Sequence, residues 1–339
     1  MPAISVLLPC YNAERTLAET LTSLSEQTLA DFEVIAVDDG STDNTLAILG
    51  DWNKRDPRFR AFSKPHTGII STANLGVGWC QSSYIARLDA DDRAHPERLA
   101  LQVEYLNAHP DVAAVGSLVE GFPAEEIERG FQLYYQWLNS LITHEDICRE
   151  IFVESPLANP SVTVRKTWFE RVGGYQEHGW PEDYDLWLRM YLAGARFAKI
   201  PRVLLEWREH PGRVTHTDSR YSVENFLRAK AHYLAKGPLQ GRDAVIIWGA
   251  GMTGRRLSKH LIREEKQPIV AFVDIDPAKI GRTRRGRPII SREELMDWWR
   301  RYENPVLLAA VRARKARPLI REKLDEFGLV EGKDWWAAA

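Results

Sequence analysis

The sequence predicts an α/β fold in which a mostly parallel, doubly wound sheet is followed by a smaller α/β domain. Three observations carry that prediction. Short β-branched runs alternate with segments of helical period from Ile4 onward, the pattern of βαβ units around a parallel sheet. Polar clusters follow three of these runs, at Pro9 to Asn12, Asp38 to Ser41 and Asp89 to Asp92, where open α/β sheets collect ligands. The alternation stops at Gly237-Pro238-Leu239-Gln240-Gly241 and resumes at Ala244, which marks a domain boundary.

Taken in order, Ile4 to Leu8 is the first strand, and Leu17, Leu21 and Leu24 give the next segment one apolar helical face. Glu33 to Val37 is the second strand, running into Asp38-Asp39-Gly40-Ser41-Thr42, whose hydroxyls suit a helix cap. A helix around Ser71 to Trp79 precedes a strand from Tyr84 to Leu88, which stops at Asp89-Ala90-Asp91-Asp92. Glu125 to Glu154 reads as helical and rich in core aromatics. After the break at Gly173-Gly174, Pro181 opens a helix with Tyr184, Trp187, Leu188 and Tyr191 on one face and Glu182 and Asp183 in its first turn. Tyr221 to Lys236 is helical. Beyond the boundary come strands at Ala244 to Trp248, Ile269 to Val273 and Pro305 to Val311, with Ser291 and Glu294 as a capping box. The expected division is residues 1–220, a helix and linker over 221–241, and 242–339.

With 339 residues, 44% of them hydrophobic, the chain has material for two cores. Its net charge of −2 provides no chain-wide field for nucleic acid, so a nucleic-acid partner is disfavoured. Cys10, Cys80 and Cys148 lie far apart without a CxxC pair, which argues against a disulfide framework and fits a reducing compartment. Pro9 arrives before any signal-peptide core can form, and no apolar run approaches the roughly 18 residues of a spanning helix. The expected location is cytoplasmic, with the inner face of the membrane as a docking place. Charge is uneven, with 13 Lys/Arg against 4 Asp/Glu between Pro277 and Arg321. The basic positions Arg282 to Arg287, Arg312, Arg314, Lys315 and Arg317 form either a solvated face or a surface that meets anionic lipid.

Three carboxylates within four residues, Asp89, Asp91 and Asp92, repel one another unless a cation or hydrogen-bond donors offset them. All-oxygen ligands suit Mg²⁺ or Mn²⁺, which usually bind through one or two carboxylates and the phosphates of a substrate. A solvated acidic turn is the alternative for an isolated motif. Asp38-Asp39-Gly40-Ser41 can meet a base or ribose, or merely cap a helix, and Glu182-Asp183 either complements a helix dipole or supplies a general base.

Together, Ile4-Ser5-Val6-Leu7-Leu8-Pro9-Cys10-Tyr11-Asn12, Val37-Asp38-Asp39-Gly40-Ser41-Thr42-Asp43, Arg87-Leu88-Asp89-Ala90-Asp91-Asp92, Gly173-Gly174-Tyr175 and Glu182-Asp183-Tyr184-Asp185-Leu186-Trp187-Leu188-Arg189 resemble the family 2 glycosyltransferases of the A-type fold, over about Ile4 to His216. The resemblance implies inverting transfer from a nucleotide-sugar, a UDP-sugar above others, to a glycan or lipid-linked acceptor. It implies nucleoside binding by Pro9, Tyr11 and Asp39. It also gives ribose and metal contacts to Asp89 and Asp91, with Asp92 as their neighbour, and the role of catalytic base to Asp183. Trp207-Arg208-Glu209-His210 resembles the family's closing segment, where a tyrosine more often precedes the arginine. Arg208 is then a pyrophosphate contact and His210 a pyrophosphate contact or metal ligand.

In the second domain Gly249-x-Gly251-x-x-Gly254 lies between strand and helix, and Asp274 ends the next strand 20 residues after Gly254. This is the dinucleotide fingerprint in context, with glycines for a pyrophosphate and an acid for a ribose hydroxyl. Phe272-Val273-Asp274-Ile275-Asp276-Pro277 and Gly286-Arg287-Pro288-Ile289-Ile290 resemble Rossmann-like domains attached to sugar-modifying enzymes. Either this domain binds a nucleotide or NAD(P), or it serves packing, oligomerisation or regulation. An NAD(P)-dependent sugar-nucleotide oxidoreductase is therefore the alternative to the transferase, and a non-catalytic sugar-nucleotide-binding module is a third reading.

Overall fold

The computed structural model describes residues 1–313 and 315–339, so the expectation for Arg314 lies outside the described residues. The chain divides into two compact units. The first holds Met1–Ile147, Pro156–His178 and Glu182–Thr217; the second holds Cys148–Ser155, Gly179–Pro181 and Asp218–Ala339. Two short segments inside the first 220 residues thus group with the C-terminal unit, a non-local arrangement with no mark in the sequence.

The first unit is built on strands β1 (Ile4–Cys10), β2 (Phe32–Asp38), β3 (Phe59–Ser63), β4 (Tyr84–Arg87), β5 (Arg93–Ala94), β6 (Val112–Phe122), β7 (Thr163–Arg165) and β8 (Arg196–Arg208). They form one sheet in the order β3-β2-β1-β4-β7-β6-β8-β5. The pairs β1/β2, β2/β3, β1/β4 and β6/β8 are parallel, while β7 runs antiparallel to β4 and β6, and β5 antiparallel to β8. Both β1 and β2 are buried along their whole length, which is why they read as continuous apolar runs instead of alternating. The chain leaves β1 toward β2 and β3 and returns on the other side at β4, so the crevice between the carboxyl ends of β1 and β4 is a topological switch point.

Helices α1 (Leu17–Ser25), α2 (Thr45–Arg55), α3 (Ile69–Trp79) and α4 (Arg98–Ala108) follow β1, β2, β3 and β5. On α1, Leu17, Leu21 and Leu24 are buried, as their spacing predicts. The stretch Glu125 to Glu154, expected to be helical, holds α5 (Arg129–Ser140) and α6 (His144–Glu150) with a break between them. Thr143 explains the break. Its hydroxyl accepts from Asp146 N–H at 3.1 Å while its own N–H and hydroxyl donate to the Asp146 carboxylate, a reciprocal cap that starts a new helix. Next come α7 (Lys166–Arg171), α8 (Glu182–Leu192), whose first residue follows Pro181, and the short α9 (Val214–Thr217).

The second unit contains α10 (Val223–Lys236) and a sheet of β9 (Ala244–Trp248), β10 (Ile269–Val273), β11 (Thr283–Arg284), β12 (Arg287–Ile290), β13 (Pro305–Ala309) and β14 (Trp335–Ala337). Its order is β11-β12-β10-β9-β13-β14, parallel except for the β11/β12 hairpin. Helices α11 (Met252–Arg263), α12 (Leu295–Trp299) and α13 (Ala316–Glu326) complete it. Glu150 is buried here and accepts from Arg317 at 2.6 Å and Arg321 at 2.5 Å. Arg317, expected on a free basic face, is therefore committed to an internal ion pair. No helix among the described residues is long and apolar enough to cross a membrane.

Candidate active site

The loops after β1 and β2 are stitched together. Asn12 sits at φ 48°, its N–H donates to Ser41 Oγ at 2.9 Å, and its side-chain oxygen accepts from Thr42 N–H at 2.9 Å. Pro9 is buried in the last turn of β1, whereas Tyr11 is 48% exposed. Asp38 is buried and accepts from Ser63 Oγ at 2.9 Å.

Asp39 is also buried, and its carboxylate receives the N–H groups of Thr67 at 3.0 Å and Gly68 at 2.9 Å and the ammonium of Lys64, while His66 Nδ1 bonds the Asp39 backbone oxygen at 3.1 Å and lies 2.9 Å from the carboxylate. Burial opposes its ionisation, yet the bonds from Lys64, Thr67 and Gly68 outweigh burial and hold the carboxyl below its ordinary range. Asp39 thus organises the loop from Lys64 to Gly68. Gly40 makes this closeness feasible. At φ +71° a side chain there is strained, and its Cβ would lie 2.7 Å from His66 N. The rings of Tyr11 and His66 stack with centroids 4.2 Å apart and an angle of 25°.

At the end of β4 the acidic cluster is differentiated by its partners. Asp89 is held by Arg87, whose Nε and one terminal nitrogen donate at 2.9 and 2.6 Å. Asp91 is partly exposed, and its Oδ2 lies 3.0 Å from His210 Nε2. Asp92 is 1% exposed; Oδ1 accepts the backbone N–H of Arg208 at 2.8 Å and Oδ2 has no partner. Burial, with the charges of Asp91 and Asp89, pushes its carboxyl well above the usual range. Asp92, expected as a metal ligand beside Asp89 and Asp91, is buried and ties β8 to the acidic loop. Arg208 donates to the Asp91 carbonyl at 2.7 Å and to Glu19 at 2.6 Å, with its guanidinium 4.4 Å over Phe122. Its expected diphosphate contact competes with these bonds.

Asp183 is partly exposed at the start of α8, beside the buried Glu182. Burial, the Glu182 charge and the Asp89 charge raise its carboxyl from the ordinary range to about 8. Arg87 in turn is influenced by Asp89 and Glu182. The end of β4 and the start of α8 are thus parts of one electrostatic environment, and the sequence-predicted Asp89 and Asp183 share it.

Asp91 Oδ2 and His210 Nε2 are hydrogen-bonded at 3.0 Å, so a cation held by this pair has to replace that bond. Among the described residues no three His, Cys, Asp or Glu side chains form a ready-made metal cluster, so further ligands have to come from substrate oxygens and water.

Three participants escaped the motif reading. Lys64 and His66 lie in a loop without a motif, and only their contacts with Asp39 reveal them. Arg87 had a sequence signal, a charge inside the apolar run Ile85-Ala86-Arg87-Leu88, where a buried cation calls for a partner such as Asp89.

In the second unit, Gly249 has φ +119° and its Cβ would lie 2.8 Å from Ala310 O, while a Cβ on Gly254 would lie 1.9 Å from Gly249 O. Gly251 faces open space. Gly249 and Gly254 are thus closely packed and Gly251 is not, while Asp274 accepts from Ala250 N–H at 3.1 Å and Asp276 N–H at 3.0 Å and pairs with Lys279 at 3.2 Å. Its expected contact with a ribose has to displace internal bonds.

Fold and site together define a sugar-transfer class of enzyme: an A-type sheet with acids at its switch point and a separate aspartate beside them. The sequence model described as Glycosyl transferase family 2 matches residues 5–172. AmsE of Erwinia amylovora, an amylovoran biosynthesis glycosyltransferase, is 32% identical over 207 residues, 60% of this chain and 75% of that protein. The chain belongs to glycosyl transferase family 2. A second model, described as C2185-like, N-terminal, matches residues 241–333. Among solved structures, Staphylococcus aureus TarS 1–349 in complex with UDP superposes with TM-score 0.55 at 18% identity, covering 78% of this chain and 72% of that one. The mannosyltransferase PcManGT of Pyrobaculum calidifontis, in complex with GDP-Man and Mn²⁺, gives 0.52 at 20%, covering 71% and 65%.

Proposed function

We propose that the protein transfers a sugar from a nucleotide-sugar, a UDP-sugar first among the candidates, to a hydroxyl of a glycan or lipid-linked acceptor in surface polysaccharide assembly, with inversion at the anomeric carbon. The observation that carries this reading is the place of Asp183, a partly exposed carboxyl in the first turn of α8 in a chain of glycosyl transferase family 2. A base must be open to its substrate and hold the proton it takes. Asp183 removes the acceptor's hydroxyl proton as its oxygen bonds to the anomeric carbon. The bond from that carbon to the diphosphate oxygen breaks, and the nucleoside diphosphate departs with the electron pair. Attack opposite the leaving group inverts the centre without a covalent enzyme intermediate.

Asp91 and His210 would hold Mg²⁺ or Mn²⁺, which supplies Lewis-acid stabilisation of the departing diphosphate. Arg87 restrains Asp89 at the same rim. AmsE, whose name refers to amylovoran biosynthesis, and the UDP and GDP-Man complexes of the structural neighbours support the reading. The internal bonds of Asp274 lend no support to the NAD(P)-dependent oxidoreductase. The test is a panel of nucleotide-sugars with Mn²⁺ and a hydroxyl acceptor, followed by NMR of the product. One donor is expected to give a glycoside of inverted anomeric configuration. A product of retained configuration contradicts the mechanism, and no nucleotide release from any donor contradicts the activity.

A further inference from the structure

We infer that the β11/β12 hairpin and the outer face of α11 form a phosphate-binding surface that docks the second unit on a membrane carrying anionic lipids. Six arginines build it: Arg255, Arg256 and Arg263 on α11, and Arg284, Arg285 and Arg287 in the hairpin. All are exposed except the half-buried Arg284. The sequence groups the hairpin arginines; the fold adds those of α11, through bonds between residues 30 positions apart.

The carboxylates of this unit are committed to other cations. Glu150 holds Arg317 and Arg321, Glu224 holds Lys259, and Asp274 holds Lys279. Among the described residues none of the six guanidinium groups pairs with an acid. Instead they gather on one another. Arg285 Nε donates to Arg255 O and Ser258 Oγ, both at 3.2 Å, and one terminal nitrogen donates to Arg255 O at 2.9 Å. Three of its five N–H groups are left for another acceptor. Arg284 Nε is buried without a partner. Burial, then the charges of Arg263, Arg255 and Arg284, lower the proton affinity of Arg285. Like charges held this close repel unless an anion offsets them.

The hairpin carries a further mark. Its two central residues, Arg285 and Gly286, have φ 51° and 74°. Asparagine, aspartate or glycine suits the first of these positions, so an arginine there is strained, as residues kept for use often are.

The form of the ligand follows from the spread of the charges. Arg256 and Arg263 lie seven residues apart on one face of α11, about 10 Å along its axis. Exposed cations at that spacing address several phosphates side by side and do not enclose one. Met252 is 62% exposed one turn before Arg256 on the same face. An apolar side chain beside exposed cations suits the boundary between headgroups and acyl chains, which nucleic acid, the other extended phosphate surface, does not have.

The test is sedimentation of the full-length chain with phosphatidylcholine vesicles, with and without phosphatidylglycerol. It is run on the parent, Arg263→Gln, Arg285→Asn, the double variant, and Lys54→Gln, which removes an exposed charge from the first unit. The parent is expected to bind only the vesicles that contain phosphatidylglycerol. Each single cluster variant should bind about fivefold more weakly and the double variant about twenty-five-fold, with Lys54→Gln within about twofold of the parent. Asparagine suits the turn, so Arg285→Asn should melt no lower than the parent, which separates lost binding from lost fold. No binding to phosphatidylglycerol vesicles, or equal binding by the parent and the double variant, overturns the proposal. Displacement by inorganic phosphate at matched ionic strength also overturns it, in favour of a single-ion site, and tighter binding to a DNA duplex does so in favour of nucleic acid. Transfer to a soluble acceptor is measured separately, so each of these outcomes leaves the transferase reading intact.

Discussion

At Asp183 the raised proton affinity has two consequences of opposite sign. A general base works only when ionised, so the rate of transfer is expected to rise with pH and level off near 8. Stability moves the other way. The unfolded chain releases this proton near 3.8 and the folded chain near 8, so between those values the unfolded state binds fewer protons and the fold loses stability as pH rises. Asp183→Asn has no proton to release, and its melting temperature relative to the parent should climb from pH 4 to pH 8. Melting curves across that window check it; a constant difference contradicts the raised value. Asp92 makes a structural prediction. Asp92→Asn keeps an oxygen for the Arg208 N–H and should cost little, whereas Asp92→Ala strands that buried donor and should cost about 1–3 kcal/mol by denaturant titration.

At the scale of elements, the parts of the fold defined by local pattern were legible and the parts defined by distant pairing were not. β1, β2 and β4 could be read because each is a short, mostly apolar run that ends at a polar cluster, and α1 because Leu17, Leu21 and Leu24 repeat at helical spacing. The antiparallel insertion of β7 between β4 and β6 depends on contacts between residues some eighty positions apart, such as Ile85 with Val164, which no local window contains. The split between α5 and α6 was missed because Thr143 and Asp146 act as a cap only through their mutual bonds. In the site, the carboxylates were legible as motifs, but their division of labour was not. Burial turned Asp92 inward, and Asp39 gathered donors from Lys64, Thr67 and Gly68, a loop distant in sequence. The glycine loop before α11 offers a sharp contrast. Gly254→Ala places a methyl group 1.9 Å from Gly249 O, and Gly251→Ala meets nothing within 4 Å. The first should cost about 1–3 kcal/mol or more, and the second should leave the melting temperature close to that of the parent.

For the whole molecule, composition foretold two cores, and the grouping of residues into units adds what composition cannot. Cys148–Ser155 and Gly179–Pro181 belong with Asp218–Ala339, and Glu150 depends on Arg317 and Arg321. Leaving a buried charge without its partners typically costs about 3–5 kcal/mol. A chain ending at Thr217 should therefore show a melting temperature well below that of the first transition of the full chain, although it contains every residue assigned to transfer. Equal melting would show that Glu150 needs no partner from residues 218–339.

The central claim is that Asp183 accepts the acceptor's proton at a rim that holds a nucleoside diphosphate-sugar. Its most direct measurement is the single-turnover transfer rate of the parent and Asp183→Asn, with donor binding measured in parallel. The account predicts unchanged donor affinity and a rate about 10²–10⁴-fold lower. Transfer by Asp183→Asn at the parental rate would contradict it.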